Sequence, residues 1–127
     1  MIKQLNVFPH NLATCSPLIV GDTLFVITSN GVDEGHINIP QPEAPSFLAI
    51  DKNTGKVKWS SNLPSKNLVE AKKSGEKVEI KTLINQGKLL MHGQWSNPVY
   101  AEPNGKPMII FPGGDGWIYS FKPDNGE

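Results

Sequence analysis

Apolar and polar residues alternate in short runs along this chain, and the clearest run lies at residues 46–59. It begins with an apolar segment, passes through residues 53–55, which tolerate the backbone of a tight turn, and ends on Val57 and Trp59, which alternate with lysines. This pattern predicts a β-hairpin whose second strand has one face in water. A similar pattern returns at residues 117–126, which indicates an internal repeat.

A second hairpin is predicted at residues 17–28, where two apolar strands flank a turn at Gly21-Asp22. Both strands are almost continuously apolar, which is typical of a sheet covered on both faces. Residues 96–111 repeat this hairpin with a turn at 103–105. Each unit therefore contains four short strands in sequence, although the second unit lacks its last one. Four-stranded meanders repeated around an axis are the blades of a β-propeller.

The repeat divides the chain into four parts: an initial connection at 1–15, a first blade at 16–62, a Lys-rich connection at 63–95 and an incomplete second blade at 96–127. Inside the Lys-rich connection, residues 67–73 could form two turns of helix, and residues 77–81 alternate like an exposed strand. The predicted class is all-β. We expect a partial β-propeller of about two four-stranded antiparallel blades, the second without its last strand, with long insertions on one face.

Composition excludes several classes of function. The twelve basic residues are all lysines and are balanced by twelve acidic residues. Without arginine the chain lacks the planar fork that most often contacts guanine or phosphate, so no nucleic-acid partner is expected. No apolar run approaches the ~18 residues of a membrane span. The first residues lack the length and cleavage site of a signal peptide. Cys15 is the single cysteine, so no internal disulfide can form.

The repeat carries a recognisable motif. Residues 49–59 read Ala-x-Asp-x-x-Thr-Gly-x-x-x-Trp, and residues 16–22 read Ser-Pro-Leu-Ile-Val-Gly-Asp. These residues resemble the pyrroloquinoline-quinone-like (PQQ-like) propeller repeat, which is shared by quinoprotein dehydrogenases and by non-catalytic BamB-like lipoproteins of outer-membrane assembly. The second unit departs from the motif, because Lys122 stands in place of Asp51 and the chain ends before any tryptophan.

The resemblance implies structural roles for the repeat residues Asp51, Gly55, Trp59 and Gly126. It implies that Trp59 locks neighbouring blades together, and a tryptophan at a strand end beside a turn usually packs in any case. Trp95 and Trp117 are expected to pack by the same reasoning.

The resemblance implies a fold rather than an activity. Quinoproteins hold their cofactor with a vicinal cysteine pair and with acid and amide ligands around calcium, and this sequence has no such pair. The leading hypothesis is a non-catalytic binding or scaffolding segment in the bacterial periplasm or cell envelope, with no cofactor in this chain. The alternative is a fragment of a PQQ-dependent quinoprotein oxidoreductase acting on an alcohol or sugar, whose active-site blades are absent from this chain. Only that alternative calls for PQQ with calcium.

The expected partners follow from the incomplete ring. Two blades cannot close a propeller, so we expect either the remaining blades of a longer parent chain or another copy of the chain to cover the open surfaces. Other envelope proteins are further candidates. The 127-residue chain is expected to be marginally stable and self-associating.

Both long insertions, 31–46 and 60–95, connect strands at the same end of the predicted blades, which indicates a functional face. The candidate ligand-face residues at this end are His10, which enters from the initial connection, and Asp33, Glu34, His36, His92, Gln94, Trp95 and Asp115. A metal site could be assembled from them, but His36 is alone in its loop and no HxH or HxxE spacing is present. The spacing therefore favours polar residues that cap turns, and no catalytic, cofactor-binding or metal-binding residue is assigned.

Overall fold

Two antiparallel sheets form the protein, and we describe them from a computed structural model for residues 2–12, 14–74, 82, 85 and 92–127. The helical elements are α1 (Ile2–Leu5), a 3-10 turn at Leu63–Ser65, α2 (Lys66–Ser74) and a 3-10 turn at Pro103–Gly105. The strands are β1 (Leu18–Val20), β2 (Thr23–Ile27), β3 (Phe47–Asp51), β4 (Val57–Ser61), β5 (Val99–Ala101), β6 (Met108–Pro112) and β7 (Ile118–Phe121). The all-β class is confirmed.

The predicted helix in the Lys-rich connection is confirmed as α2. The strand predicted at 77–81 lies outside the described residues. Within the described part of the chain, no helix has the length and apolarity needed to cross a membrane.

The first sheet joins its four strands in sequence order, from β1 to β4. Leu18 lies opposite Phe25, and Phe25 lies opposite Ala49 in the next strand. Trp59 then lies opposite Ala49. Residues directly opposite one another share a face of the sheet, so these four side chains form one row. Both predicted hairpins of the first unit are confirmed.

The second sheet has the order β5-β6-β7 and repeats this register with three strands. Val99 lies opposite Ile110, and Ile110 lies opposite Ser120. These three residues correspond in register to Leu18, Phe25 and Ala49 of the first sheet. The two units are therefore equivalent strand by strand as far as β7.

The sheets pack against each other through opposite faces. The shared core contains Phe25, Ile27, Phe47, Ala49 and Trp59 of the first sheet and Ile109, Phe111 and Phe121 of the second. The equivalent face of the second sheet points away from this core. Two of its residues, Val99 and Ile118, are 54% and 73% exposed. The contact is therefore head to tail: each sheet offers a different face to the interface.

Aromatic rings dominate this interface. The Phe47 and Phe111 rings stack with centroids 4.7 Å apart, and the Trp59 and Phe121 centroids are 5.3 Å apart. The indole Nε1 of Trp59 donates to the carbonyl of Pro123 at 2.8 Å. Trp59 is thus buried against the second unit, as expected for the residue that joins two units.

The motif residue Asp51 organises the turn between β3 and β4. Its Oδ1 accepts hydrogen bonds from the backbone N–H of Asn53 at 3.0 Å and of Thr54 at 2.7 Å, and from the Thr54 hydroxyl at 2.9 Å. Donation from Thr54 holds the pKa of Asp51 below its ordinary value. Gly55 then adopts a φ of 72°, which glycine reaches without a side-chain clash. Asp51 and Gly55 together define the geometry of this turn.

Two burial expectations need correction. The strand β1 is not covered on both faces, since Ile19 is 59% exposed at the sheet edge, whereas Leu48 and Ile50 of β3 are buried. Trp117 does not pack like Trp59, because it precedes the edge strand β7 and is 61% exposed. An edge strand has a neighbour on one side only, which leaves its side chains open to water.

Candidate functional site

Three chain segments meet at the end of the first sheet where the long connections lie. Pro9 forms a β-bridge with Asn30, and the backbone N–H of His10 donates to the Ser29 carbonyl at 3.0 Å. The hydroxyl of Ser29 donates to the Gln94 carbonyl at 2.9 Å. The initial connection, the loop after β2 and the segment before β5 are therefore held together by hydrogen bonds between residues far apart in sequence. The described part of the 31–46 connection and the described end of the 60–95 connection therefore lie at the same end of the first sheet.

His10 lies at the centre of this junction and is completely buried. Its Nδ1 is 3.0 Å from the carbonyl oxygen of Val32. A carbonyl oxygen only accepts, so Nδ1 carries the proton and the lone pair of the ring is on Nε2. Among the described residues no group hydrogen-bonds to this buried Nε2. A buried acceptor without a partner is rare in native structures and calls for an explanation.

His36 is presented by a loop that Asp33 organises. The Asp33 carboxylate accepts from the backbone N–H of Ile37 at 2.8 Å and from the side-chain amide of Asn38 at 3.0 Å. Its carbonyl also accepts from the backbone N–H of His36 at 2.9 Å, and His36 adopts a left-handed φ of 54°. The hydrogen bond from Ile37 holds the pKa of Asp33 below its ordinary value. Asp33 therefore caps the turn, as expected, and fixes where the imidazole of His36 lies.

His92 reaches the site because two glycines let the backbone segments approach closely. A Cβ at Gly31 would lie 2.6 Å from the carbonyl oxygen of His92, and a Cβ at Gly93 would lie 2.8 Å from the Nε1 of Trp95. Contacts this short exclude any side chain at these two positions. The segments that carry His10 and His92 can therefore lie directly against each other.

The three imidazoles form one cluster. The ring centroids of His10 and His36 are 4.7 Å apart, those of His36 and His92 are 4.8 Å apart, and those of His10 and His92 are 5.7 Å apart. His36 Nε2 lies 3.2 Å from His92 Nδ1. One nitrogen from each ring can be chosen so that all three lie within 4.8 Å of one another. His10 is buried, whereas His36 and His92 are exposed, so the cluster opens to solvent on one side.

Trp95 and Gln94 support the cluster rather than extend it. The Trp95 ring stacks on His10 at a centroid distance of 5.8 Å and an angle of 22°, and its Nε1 donates to the His10 carbonyl at 3.4 Å. Gln94 is fully buried, and its amide lies 3.5 Å from the Asn30 carbonyl. Trp95 is 44% exposed, so it packs on one face only.

The remaining predicted residues do not join the histidines. Asp115 binds within its own loop, where its carboxylate accepts from the Tyr119 hydroxyl at 2.5 Å and from the backbone N–H of Trp117 at 3.2 Å. Burial, and then this hydrogen bond, raise the pKa of Tyr119. Glu34, two residues before His36 in the chain, is exposed. Of the eight predicted residues, the structure thus brings together three histidines and a tryptophan. Asp33 and Gln94 support the segments that carry them.

The donor set decides which chemistry the cluster can support. Imidazole nitrogen suits zinc, copper, nickel and iron, whereas calcium takes six to eight oxygen ligands. The oxygens of Asp33 are occupied by its own turn. No family model, curated protein or solved structure matches this chain.

Sequence reasoning placed all three histidines at one end of the sheet, but it did not bring them together. The three histidines lie on three separate connections, and their spacing matches no metal-binding sequence motif. A signal was nevertheless present: these are the only histidines in the chain, and all three fall on connections at the same end.

Proposed function

We propose that the chain is a segment of a β-propeller built from PQQ-like repeats and acts as a non-catalytic binding or scaffolding module. The observation that carries this proposal is the head-to-tail contact between the sheets. A face that is buried in the first unit, with Phe25 and Trp59, is exposed in the second, at Val99 and Ile118. A contact that joins unlike faces leaves one face free to bind the next unit, whereas a contact between like faces would close on itself.

The equivalent turns of the two units support the same proposal. In the first unit the backbone N–H of Gly55 donates to the Asp51 carbonyl at 2.8 Å, and that of Asp51 donates to the Lys56 carbonyl at 2.8 Å. In the second unit Gly126 donates to the Lys122 carbonyl at 3.0 Å, and Lys122 donates to the Glu127 carbonyl at 2.8 Å. The second turn thus has the backbone geometry that leads into β4 in the first unit.

The proposed partners are further blades of a parent chain, a second copy of this chain or another envelope protein. They would pair with the open edge of β7 and cover the exposed face of the second sheet. The bacterial periplasm or cell envelope is proposed as the location on the resemblance alone.

The alternative, a PQQ-dependent oxidoreductase, receives no support from the donor set. Calcium and PQQ require oxygen ligands and, in the quinoproteins, a vicinal cysteine pair. The described loop end offers imidazole nitrogen instead, and the chain has a single cysteine. The residues of this chain that the structure describes do not fit the cofactor, so this alternative would need its active site in other blades.

Self-association tests the binding face directly. We expect the protein to sediment as concentration-dependent oligomers, and we expect Ile118→Glu to shift it towards monomer, because the charge would be buried in the proposed contact. Leu12→Glu is the matched control, since Leu12 is also an exposed apolar residue but lies on the initial connection, outside both sheets. A compact monomer with a sharp melt at every concentration would contradict the proposal.

A titration with PQQ and calcium tests the alternative. We expect the absorbance spectrum of the quinone to stay unchanged on addition of protein. Stoichiometric binding together with dye-linked turnover of an alcohol or sugar would overturn the non-catalytic assignment.

A further inference from the structure

We propose that His10, His36 and His92 bind one divalent transition-metal ion, with zinc as the metal that the donor set and geometry fit best. The proposal goes beyond the binding-module function and does not depend on it. It rests on three independent features: the distances between the nitrogens, the unpartnered buried nitrogen of His10, and the way each ring is held.

The distances between ring nitrogens are close to those of a zinc site. Two imidazole nitrogens that each bind tetrahedral zinc at 2.0–2.1 Å lie about 3.3 Å apart. His36 Nε2 and His92 Nδ1 are already 3.2 Å apart. One nitrogen of each ring can be chosen so that all three lie within 4.8 Å of one another, so rotations of the exposed His36 and His92 side chains would bring them to ligand distance around His10.

His10 has the hydrogen bonding that metal-binding histidines have. Its Nδ1–H donates to the Val32 carbonyl at 3.0 Å, which fixes the tautomer and leaves the Nε2 lone pair available. That Nε2 is buried and lacks a partner among the described residues. Trp95 stacked on the ring holds its orientation. A metal ion would supply the missing partner.

His36 and His92 are held from outside the cluster as well. The turn capped by Asp33 sets the backbone of His36, and the close approach of Gly31 sets the backbone of His92. Both side chains are exposed, so the metal can reach the site from solvent. Three protein ligands leave the fourth position of a tetrahedral zinc ion for water or another small ligand.

Without metal, the short distance between His36 and His92 is an N–H···N hydrogen bond between two imidazoles. The two interpretations differ in what removal of one ring does. If the two rings only form a hydrogen bond, removing one of them leaves the metal affinity unchanged. If they are ligands, removing one lowers the metal affinity by at least about a hundredfold, because loss of even an outer-shell partner typically lowers it 10–100-fold.

The test is zinc binding by the untagged, metal-stripped protein, measured by isothermal titration calorimetry. We expect one zinc per chain, and a melting temperature that rises with zinc because the metal binds the folded state. The ligand variants are His36→Gln and His92→Gln, whose side chains are exposed, so that circular dichroism should report an intact fold. His10→Gln is a third variant, interpreted only if it folds.

Two control variants separate this site from other metal-binding groups. Glu34→Gln removes an exposed carboxylate in the loop of His36, and Cys15→Ser removes the single thiol. Both should keep the parent affinity and stoichiometry. Cobalt substituted for zinc should show the visible absorption bands of a tetrahedral nitrogen site in the parent and in these controls, and not in the histidine variants.

Three results would overturn the proposal: no zinc bound by the folded parent at micromolar metal, parent affinity in folded His36→Gln and His92→Gln, or loss of binding in Cys15→Ser. None of them bears on the association of the second sheet with partners, which Ile118→Glu tests separately.

Discussion

The two repeat units share the register of their first three strands and the turn after the third, but they are stabilised differently. In the first unit the Asp51 carboxylate holds the turn through three hydrogen bonds, and Trp59 covers the interface. In the second unit Lys122 occupies the position of Asp51 and forms an exposed ion pair with Glu127 at 2.7 Å. The same backbone turn thus forms with and without the carboxylate. Glycine geometry and strand register therefore define the repeat, and the motif side chains add stability.

Removing Trp59 should have the largest effect, because this side chain belongs to one unit and is buried against the other. Trp59→Ala is expected to lower the free energy of unfolding by about 3–5 kcal/mol through lost burial and a cavity. Chemical denaturation followed by circular dichroism measures it. Trp117→Ala is the comparison, since Trp117 is an exposed tryptophan of the second unit and should cost much less. Equal costs would mean that Trp59 does not join the units.

The two turn glycines provide a matched pair that separates backbone from packing. Gly55 and Gly126 have φ values of 72° and 73°, so alanine is strained equally at both. A Cβ at Gly55 would meet no atom within 4 Å, whereas a Cβ at Gly126 would lie 2.7 Å from the Trp59 ring.

Gly55→Ala is expected to cost about 1–2 kcal/mol from the left-handed backbone. Gly126→Ala should cost roughly 1–3 kcal/mol more from overpacking against the indole. Both values come from denaturant unfolding of the two variants under one set of conditions. If Gly126→Ala were no worse than Gly55→Ala, the turn of the second unit would not pack on the first.

Asp51→Ala should lower the melting temperature by a few degrees at neutral pH, because three donors lose their acceptor. The pKa of Asp51 is lowered in the folded state, so its stabilising effect is complete above the unfolded value of about 3.9 and is lost as the pH falls through the folded value. Melting of parent and variant should therefore differ at pH 7 and converge in strong acid. A difference that is independent of pH would show that the carboxylate charge is not involved.

Lys122→Asp should have the smallest effect, a gain in melting temperature of a degree or two. It restores the motif residue and its acceptor for the turn, at the loss of the exposed ion pair with Glu127. Lys122→Ala is the control that removes the ion pair without adding the acceptor. If Lys122→Asp melted no higher than Lys122→Ala, the second turn would differ from the first in more than this side chain.

The strands and turns could be predicted from the sequence because the information for them is local. Short apolar runs defined β2, β3 and β6, alternation with lysines defined β4, and glycine-containing segments defined the turns, since all of these depend on neighbours a few residues apart. The repeat could also be recognised, because the second unit has apolar runs and turn residues in the same order as the first.

Local sequence patterns are enough to predict the all-β class, the order of the strands and the end of the sheet from which the long connections leave. Which residues meet at that end depends on how distant segments pack. His10, His36 and His92 belong to three connections, and their distances depend on bridges such as Pro9 with Asn30 and on the close approach at Gly31. The same packing also decides that Trp59 is buried and Trp117 exposed. Such outcomes depend on contacts between distant segments, and local spacing carries no information about those contacts.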